Sequence, residues 1–251
     1  MIISKATVIT ARSSSKRYPN KILENIIKKI KSIDILIKRS KKIGLPIILA
    51  TTSSKGDTRL CNYVKKKHKI IIFRGNKKDK IKRWFDCFKK FKIDKACMID
   101  GDDICFDYNI YKKNINRKVF GFIGCEKSII TGVFTNIIDF NNLKKIYYSS
   151  RKFKDTEMIE PFVKKSKIEI QFIKVDNLFK KKAIRLTFDY KEDLLLFKKL
   201  FSKFKITEKT SNLLKYLIKN KKISAINYFR EKNWRDNQLK KIKITLKNNN
   251  F

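Results

Sequence analysis

The chain is poor in the residues that many reactive sites depend on. It has one histidine, seven glycines and three prolines in 251 residues. A Ser/His/Asp or Cys/His relay would have to use His68, which stands beside an apolar run among lysines and is expected to be a solvated side chain. Five cysteines (Cys61, Cys87, Cys97, Cys105 and Cys125) include no C-x-x-C pair. That odd, scattered set argues against a zinc finger or a disulfide scaffold and fits a reduced, cytoplasmic chain. No apolar stretch reaches the roughly 20 residues of a membrane helix, and no leader pattern opens the chain, so neither a membrane nor a secreted protein is expected. No repeat and no Gly-, Pro- or Ser-rich linker divides it.

Carboxylates are scarce as well. Asp and Glu number 23 against 63 Lys and Arg, a net charge of +40 with a pI near 10.1. Such an excess ordinarily suggests a polyanion partner. Yet only 11 of the 63 are arginine, and the lysines run evenly from Lys5 to Lys247. Base reading in nucleic acid favours arginine and clustered charge. Lys, Ile, Asn and Phe, all over-used here, share A/T-rich codons, so genomic base bias explains the pattern as a whole. No specific nucleic-acid partner is expected, and a surface selected for polyanions is the alternative. What the chain has in quantity is apolar residues, 42% of the total, enough for a sizeable core.

Patterning predicts alternating strands and helices. Residues 5–11, 46–51, 69–73 and 95–99 read as short β-branched strands, and 30–43, 58–67 and 79–91 as amphipathic helices between them. That order implies βαβ units and a mainly parallel sheet with helices on both faces. Further on, 118–123, 129–135, 168–175 and 184–188 are expected as strands, and 141–150, 192–204, 211–220 and 224–232 as helices. The domain boundary is placed at 236, with 205–236 a helical extension and 237–251 a frayed basic tail.

Ligands in such sheets bind beyond the carboxyl ends of the strands, and three polar clusters fall there. The first is the loop from Ala11 to Lys21, whose small residues, Arg12, Arg17 and Lys21 suit a triphosphate. It has neither the Walker A nor the Rossmann glycine pattern, and an ordinary basic surface loop is the alternative. The second is Asp100-Gly101-Asp102-Asp103, where crowded carboxylates suit Mg²⁺ or form a solvated acidic turn. In the third, 185–189, a strand runs into Asp189, which either joins Asp102 at a metal or caps the following helix.

Taken together these segments resemble the nucleotide-sugar cytidylyltransferases. The nearest are the spore-coat polysaccharide type, related to the CMP-sialate and 3-deoxy-manno-octulosonate enzymes. The pattern A-R-x-x-S-x-R-[LY]-P-x-K is met by Ala11, Arg12, Ser15, Arg17, Tyr18, Pro19 and Lys21. An A-T-[ST] strand end is met by Ala50, Thr51 and Thr52, and F-R-G-x-x-x-D-x-x-x-R by Phe73, Arg74, Gly75, Asp79 and Arg83. Gly101, Asp102 and Asp107 match G-D-x-x-x-x-D, and two further segments match at 156–162 and 185–194. Three departures stand out: Ser14 and Asn20 replace glycines, Lys28-Lys29-Ile30 replaces a G-K-P turn, and Asp103-Ile104 follows the metal aspartate in place of C-P or E-P. Asn20 is the better suited of the two glycine replacements to a positive φ.

The resemblance implies a single Rossmann-like three-layer α/β domain of the nucleotide-diphospho-sugar transferase type. It implies attack of a sugar hydroxyl on the α-phosphate of CTP, with pyrophosphate released, for surface polysaccharide synthesis. Arg12, Lys21 and Asp102 would be catalytic, Arg12 and Lys21 holding the β- and γ-phosphates. Mg²⁺ would sit on Asp102 and Asp189; Ala11, Ser15 and Thr51 or Thr52 would line the nucleotide, and Arg74, Asp79 and Arg83 would border the nucleotide or sugar pocket. Phe106 and Asp107 would shape the loop. The partners implied are CTP and a sugar, and relatives that pair through the middle region allow a homodimer. The alternatives are a nucleotidyl or sugar transferase using another nucleotide and, in another class, a basic binding module for nucleic acid or anionic surfaces that has lost its chemistry.

Overall fold

The computed structural model describes residues 2–15, 17–117, 121–124, 126, 128–153 and 155–247. Strand β1 (Lys5–Thr10) leads through the polar loop to a 3₁₀ turn, and then to a small hairpin of β2 (Asn25–Ile27) and β3 (Ile30–Lys31). Helix α1 (Ser32–Lys41), β4 (Ile47–Thr52), α2 (Thr58–His68), β5 (Ile71–Gly75), α3 (Lys80–Phe91) and β6 (Lys95–Asp100) follow. Next come α4 (Tyr108–Asn114), β7 (Phe122–Gly124), β8 (Asn136–Asp139), α5 (Phe140–Ser150), α6 (Glu160–Lys165) and β9 (Ile170–Phe172). Four helices complete the order: α7 (Lys191–Lys203), α8 (Thr210–Lys219), α9 (Lys221–Tyr228) and α10 (Arg230–Lys247).

Seven strands form one sheet in the order β5-β4-β1-β6-β8-β7-β9. The first four are parallel; β8 runs antiparallel to both β6 and β7, and β9 is parallel to β7. Chain order reverses at β1, where β4 lies on one side and β6 on the other, which is where α/β sheets open a crevice. Thr10 is in register with both Ala50 and Asp100, so β1 and β6 finish level and β4 runs two residues further, to Thr52.

Burial on both faces explains the continuous apolar strands. Ala6, Val8, Ile48, Ala50, Ala96 and Met98 face one core, with Ile81, Trp84, Cys87 and Phe88 of α3 and Leu143 and Ile146 of α5. Ile9, Leu49, Cys97 and Ile99 face the other, with residues of α1, α2, α7 and α8. Each such large side chain contributes about 1.5–3 kcal/mol by leaving water.

Several expectations need correction. Residues 129–135 form no strand: they make a single antiparallel bridge, Ile129 to Lys180, and turn at Gly132 with φ 91°. Residues 184–188 are extended but join no sheet. Leu186 N donates to Thr131 O at 2.9 Å and Phe188 N to Asp102 O at 2.8 Å, so loop carbonyls satisfy this backbone instead of a ladder. Residues 118–120 of the expected 118–123 strand lie outside the described residues, as does Cys125. The four described cysteines are free and buried. Residues 237–247, expected as a frayed tail, continue α10, whose first turn is tied to the domain by the Arg185–Glu231 and Arg230–Glu192 ion pairs. His68 is not solvated: its side chain is 4% exposed and its Nε2 lies 2.6 Å from Asp34 Oδ1.

Candidate active site

Each sequence-predicted cluster sits at the carboxyl end of the sheet. The loop after β1 folds back on itself, with Ser15 N and Asn20 N both donating to Ser13 O at 3.0 Å. Asn20 adopts φ 57°, in the left-handed region where its short polar side chain is tolerated in place of glycine. Asp57 anchors the loop: its Oδ1 accepts from Ser13 N at 2.6 Å, and its Oδ2 accepts from Thr52 N at 3.3 Å and from the Thr52 hydroxyl. Gly101 lets the ends of β1 and β6 close together, since a Cβ there would lie 2.8 Å from the Ala11 Cβ and 3.0 Å from Thr10 O.

Lys21 stands at the centre. Its Nζ donates to Asp102 Oδ2 at 3.1 Å, Asp189 Oδ1 at 2.8 Å and Phe188 O at 2.6 Å. The bond from Phe188 N to Asp102 O sets Asp189 beside Asp102 across a sequence gap of 87 residues. Arg17 Nη2 reaches the same Asp189 Oδ1 at 2.6 Å, and Arg185 Nη2 holds Oδ2 at 3.2 Å. Burial opposes ionisation of both Lys21 and Asp189, and their charged partners outweigh it. The lysine is held above its ordinary pKa by Asp102 and Asp189, and the aspartate below its own by Lys21 and Arg17.

The surrounding charges are paired in the same manner. Lys80 bonds Asp100 Oδ1 at 2.8 Å, and Glu157 lies 3.1 Å from Arg12 and 3.7 Å from Arg83. Asp103 is buried, and its carboxyl is pushed well above the usual range by burial and by the neighbouring Asp102 and Asp100. Asp102 and Asp100 are the more accessible carboxylates of the Asp100–Asp103 cluster, their side chains 30% and 31% exposed.

Other predicted residues hold the walls rather than the centre. Thr51 is fully buried, and its hydroxyl has no partner among the described residues; Thr52 is occupied by Asp57. Arg74 clips the end of β4 through Thr52 O and Ser54 O at 3.2 and 2.6 Å. Asp79 caps α3 through Lys82 N at 2.8 Å and accepts from the Thr156 hydroxyl at 2.6 Å. Arg83, buried, donates to Asn76 O at 2.6 Å. Asp79 also borders an open cleft of about 520 Å³ with Ser53, Asn76, Lys77, Lys78 and Phe153. Asp107 caps α4, as a loop-shaping residue does, through Asn109 N and Ile110 N at 2.8 and 2.9 Å.

Sequence reasoning gave no role to Asp57, Lys80, Glu157 or Glu231. Lys80 and Glu157 lie inside matched segments and so carried a signal, whereas Asp57 and Glu231 make bonds that only the fold reveals. Among the described residues no set of three His, Cys, Asp or Glu side chains could hold a metal by itself. Asp102 and Asp189 do converge on one cation position, as the Lys21 distances demonstrate. That arrangement fits Mg²⁺, a hard ion that takes one or two carboxylates and completes its shell with water and phosphate.

A family model described as cytidylyltransferase matches residues 6–223, which spans the sheet from the second residue of β1 onward and the three clusters. The chain belongs to the cytidylyltransferase family. Among its relatives is an uncharacterized protein of Methanocaldococcus jannaschii, 28% identical over 242 residues, covering 91% of this chain and 97% of that one. A cytidylyltransferase of Leptospira borgpetersenii superimposes with a TM-score of 0.79 at 22% identity, covering 89% of this chain and 97% of that structure. A CMP:2-keto-3-deoxy-manno-octonic acid synthetase solved with CTP gives 0.60 at 14% identity over 79% and 99% of the two chains. These structures share the α/β nucleotidyltransferase fold. Membership of the family makes this chain a CTP-dependent nucleotidyltransferase, and no helix among its described residues is long and apolar enough to cross a membrane.

Proposed function

We propose that this family member activates a sugar as its CMP derivative in the cytoplasm, with Mg²⁺ held by Asp102 and Asp189. The sugar we favour is acidic, of the nonulosonate class, for surface polysaccharide, in line with the spore-coat resemblance of the sequence. One observation carries the reading: a single cation joins Asp102 and Asp189 at the strand ends, beside a loop bearing Arg12 and Arg17.

In the reaction the sugar hydroxyl oxygen bonds to the α-phosphorus of CTP as the bond to the bridging oxygen breaks. Pyrophosphate leaves with that electron pair, and the hydroxyl proton passes to water. The protein's task is to position the reactants and balance charge. Arg12 and Lys21 bind the β- and γ-phosphates, exchanging Glu157 and the aspartates for phosphate oxygens. Ala11, through its backbone, and Ser15 on the folded loop flank the nucleotide; Arg74, Asp79 and Arg83 fix its wall. Asp102 and Asp189 would hold Mg²⁺, which when bound would neutralise phosphate charge and lower the pKa of the attacking hydroxyl.

Thermal unfolding with CTP, UTP, GTP or ATP, each with and without Mg²⁺, tests this before the sugar is known. At about 100 times its dissociation constant CTP adds roughly 2.7 kcal/mol of stability, a rise of a few degrees. The expected rise is CTP-selective, enhanced by Mg²⁺ and lost in Asp102→Ala. Equal rises with every nucleotide, abolished by salt, would overturn the reading.

A further inference from the structure

Helix α10 begins after residue 223, where the family match ends, yet its first turns are built into the site. Glu231 Oε2 accepts from Arg185 Nη1 at 3.1 Å. The same guanidinium bonds Asp193 Oδ1 at 3.1 Å and Asp189 Oδ2 at 3.2 Å, and all three of these residues are fully buried. Its carbon lies 5.5 Å from the centre of the Tyr190 ring and 5.4 Å from that of Trp234, a residue of α10. Asn227 of α9 adds bonds to Arg185 O at 3.2 Å and Asp193 Oδ1 at 2.8 Å. Glu231 is itself held by the Thr131 hydroxyl at 2.9 Å and by Arg235 at 2.7 Å.

Among the described residues three cations hold Asp189, and they are not equivalent. Arg17 and Lys21 stand on the loop proposed to meet the triphosphate, and both are free to change partners when phosphates arrive. Arg185 is sealed from solvent and has no substrate to turn to. A buried carboxylate stays aimed only while its remaining partner is fixed. Two of the groups that fix Arg185, Glu231 and Trp234, come from α10.

We propose that α10 is a working part of the active site: Glu231 and Trp234 are positioning residues that hold Arg185 and, through it, aim Asp189 at the cation it shares with Asp102. The inference rests on the assignment of Asp102 and Asp189 to Mg²⁺.

The test is thermal unfolding of the full chain at saturating CTP while Mg²⁺ is titrated, reading the Mg²⁺ concentration at half of the rise. Loss of an outer partner of a metal-binding carboxylate weakens metal affinity about 10–100-fold, so Glu231→Gln and Trp234→Leu are expected to raise that midpoint at least tenfold. Leu217→Ala, a cavity in the buried face of α8, lowers the unfolding temperature without moving the midpoint. If both α10 variants lower the unfolding temperature but keep the wild-type midpoint, the helix is only a prop and the inference is overturned. Should Glu231→Gln fail to fold, Trp234→Leu leaves every charge paired and decides alone. A wild-type chain with no Mg²⁺-dependent response to CTP would instead sink the functional reading, and this inference with it.

Discussion

Asp102 and Asp189 share one lysine but differ in what their loss leaves behind. Asp102 is partly exposed and, among the described residues, pairs with Lys21 alone, whereas Asp189 is fully buried among Arg17, Lys21 and Arg185. Asp102→Ala is therefore expected to unfold within a few degrees of wild type while pyrophosphate release falls by about 10²–10³-fold or more. Asp189→Ala strands buried positive charge and is expected to cost about 3–5 kcal/mol in urea unfolding. Equal stability of the two variants would contradict this division. The Asp34 cluster, away from the site, allows a separate test of charge. Burial alone would raise the Asp34 carboxyl, but hydrogen bonds from His68, Lys67, Lys31 N and Tyr63 outweigh it and hold the group well below its usual range. A depressed folded pKa gives stability that is complete above the unfolded value, near 3.9, and is lost as pH falls through the folded one. Asp34→Asn should thus lose about 1–3 kcal/mol at pH 7, and its deficit should shrink below about pH 4. A deficit that stays constant into acid would place the effect in packing instead of charge.

Among the elements, the β2–β3 hairpin is where the chain departs most from the resemblance. Lys28 stands where a G-K-P turn would begin and adopts φ 48°. A left-handed conformation costs an ordinary residue about 1–2 kcal/mol, and the looser unfolded chain of glycine cancels part of the relief. Lys28→Gly is expected to stabilise by about 0.5–1 kcal/mol, seen as a higher urea midpoint with unchanged slope. A lower midpoint would mean that the lysine side chain contributes more than its backbone costs. The same scale separates what the sequence disclosed from what it hid. β1, β4, β5 and β6 were legible as short continuous apolar runs, as strands covered by helices on both faces of a sheet are, and the intervening helices because each buries one apolar face and leaves a period of 3.6. Helices α4 and α6 and the hairpin strands are too short for any period to develop. The 129–135 run imitates a strand, but Gly132 brings its backbone against that of Leu186, where a Cβ would lie 2.4 Å from the carbonyl, so two loops cross there. Strand-end carboxylates could be found by eye because they follow apolar runs; Glu231, an acid in a lysine-rich helix, could not.

Across the whole molecule, the +40 charge divides into two populations with opposite effects. The buried cations Lys21, Lys80, Arg83 and Arg185 face carboxylates and are shielded from solvent ions. Most other lysines are spread over the surface with few acids to answer them, and a large single-sign charge destabilises the compact state by self-repulsion. Salt reaches only the second population, because the screening length falls from about 10 Å at 0.1 M to about 3 Å at 1 M. Raising NaCl from about 0.05 to 0.5 M should therefore increase the unfolding temperature by several degrees. The same salt should release heparin or nucleic acid collected by the surface. It should leave CTP selectivity in place, since that depends on aimed donors in a shielded crevice. An unfolding temperature that falls with salt would mean that surface pairs such as Lys82–Asp86 and Lys164–Glu160 outweigh the repulsion, and the lysine excess would then be part of the stability of the fold.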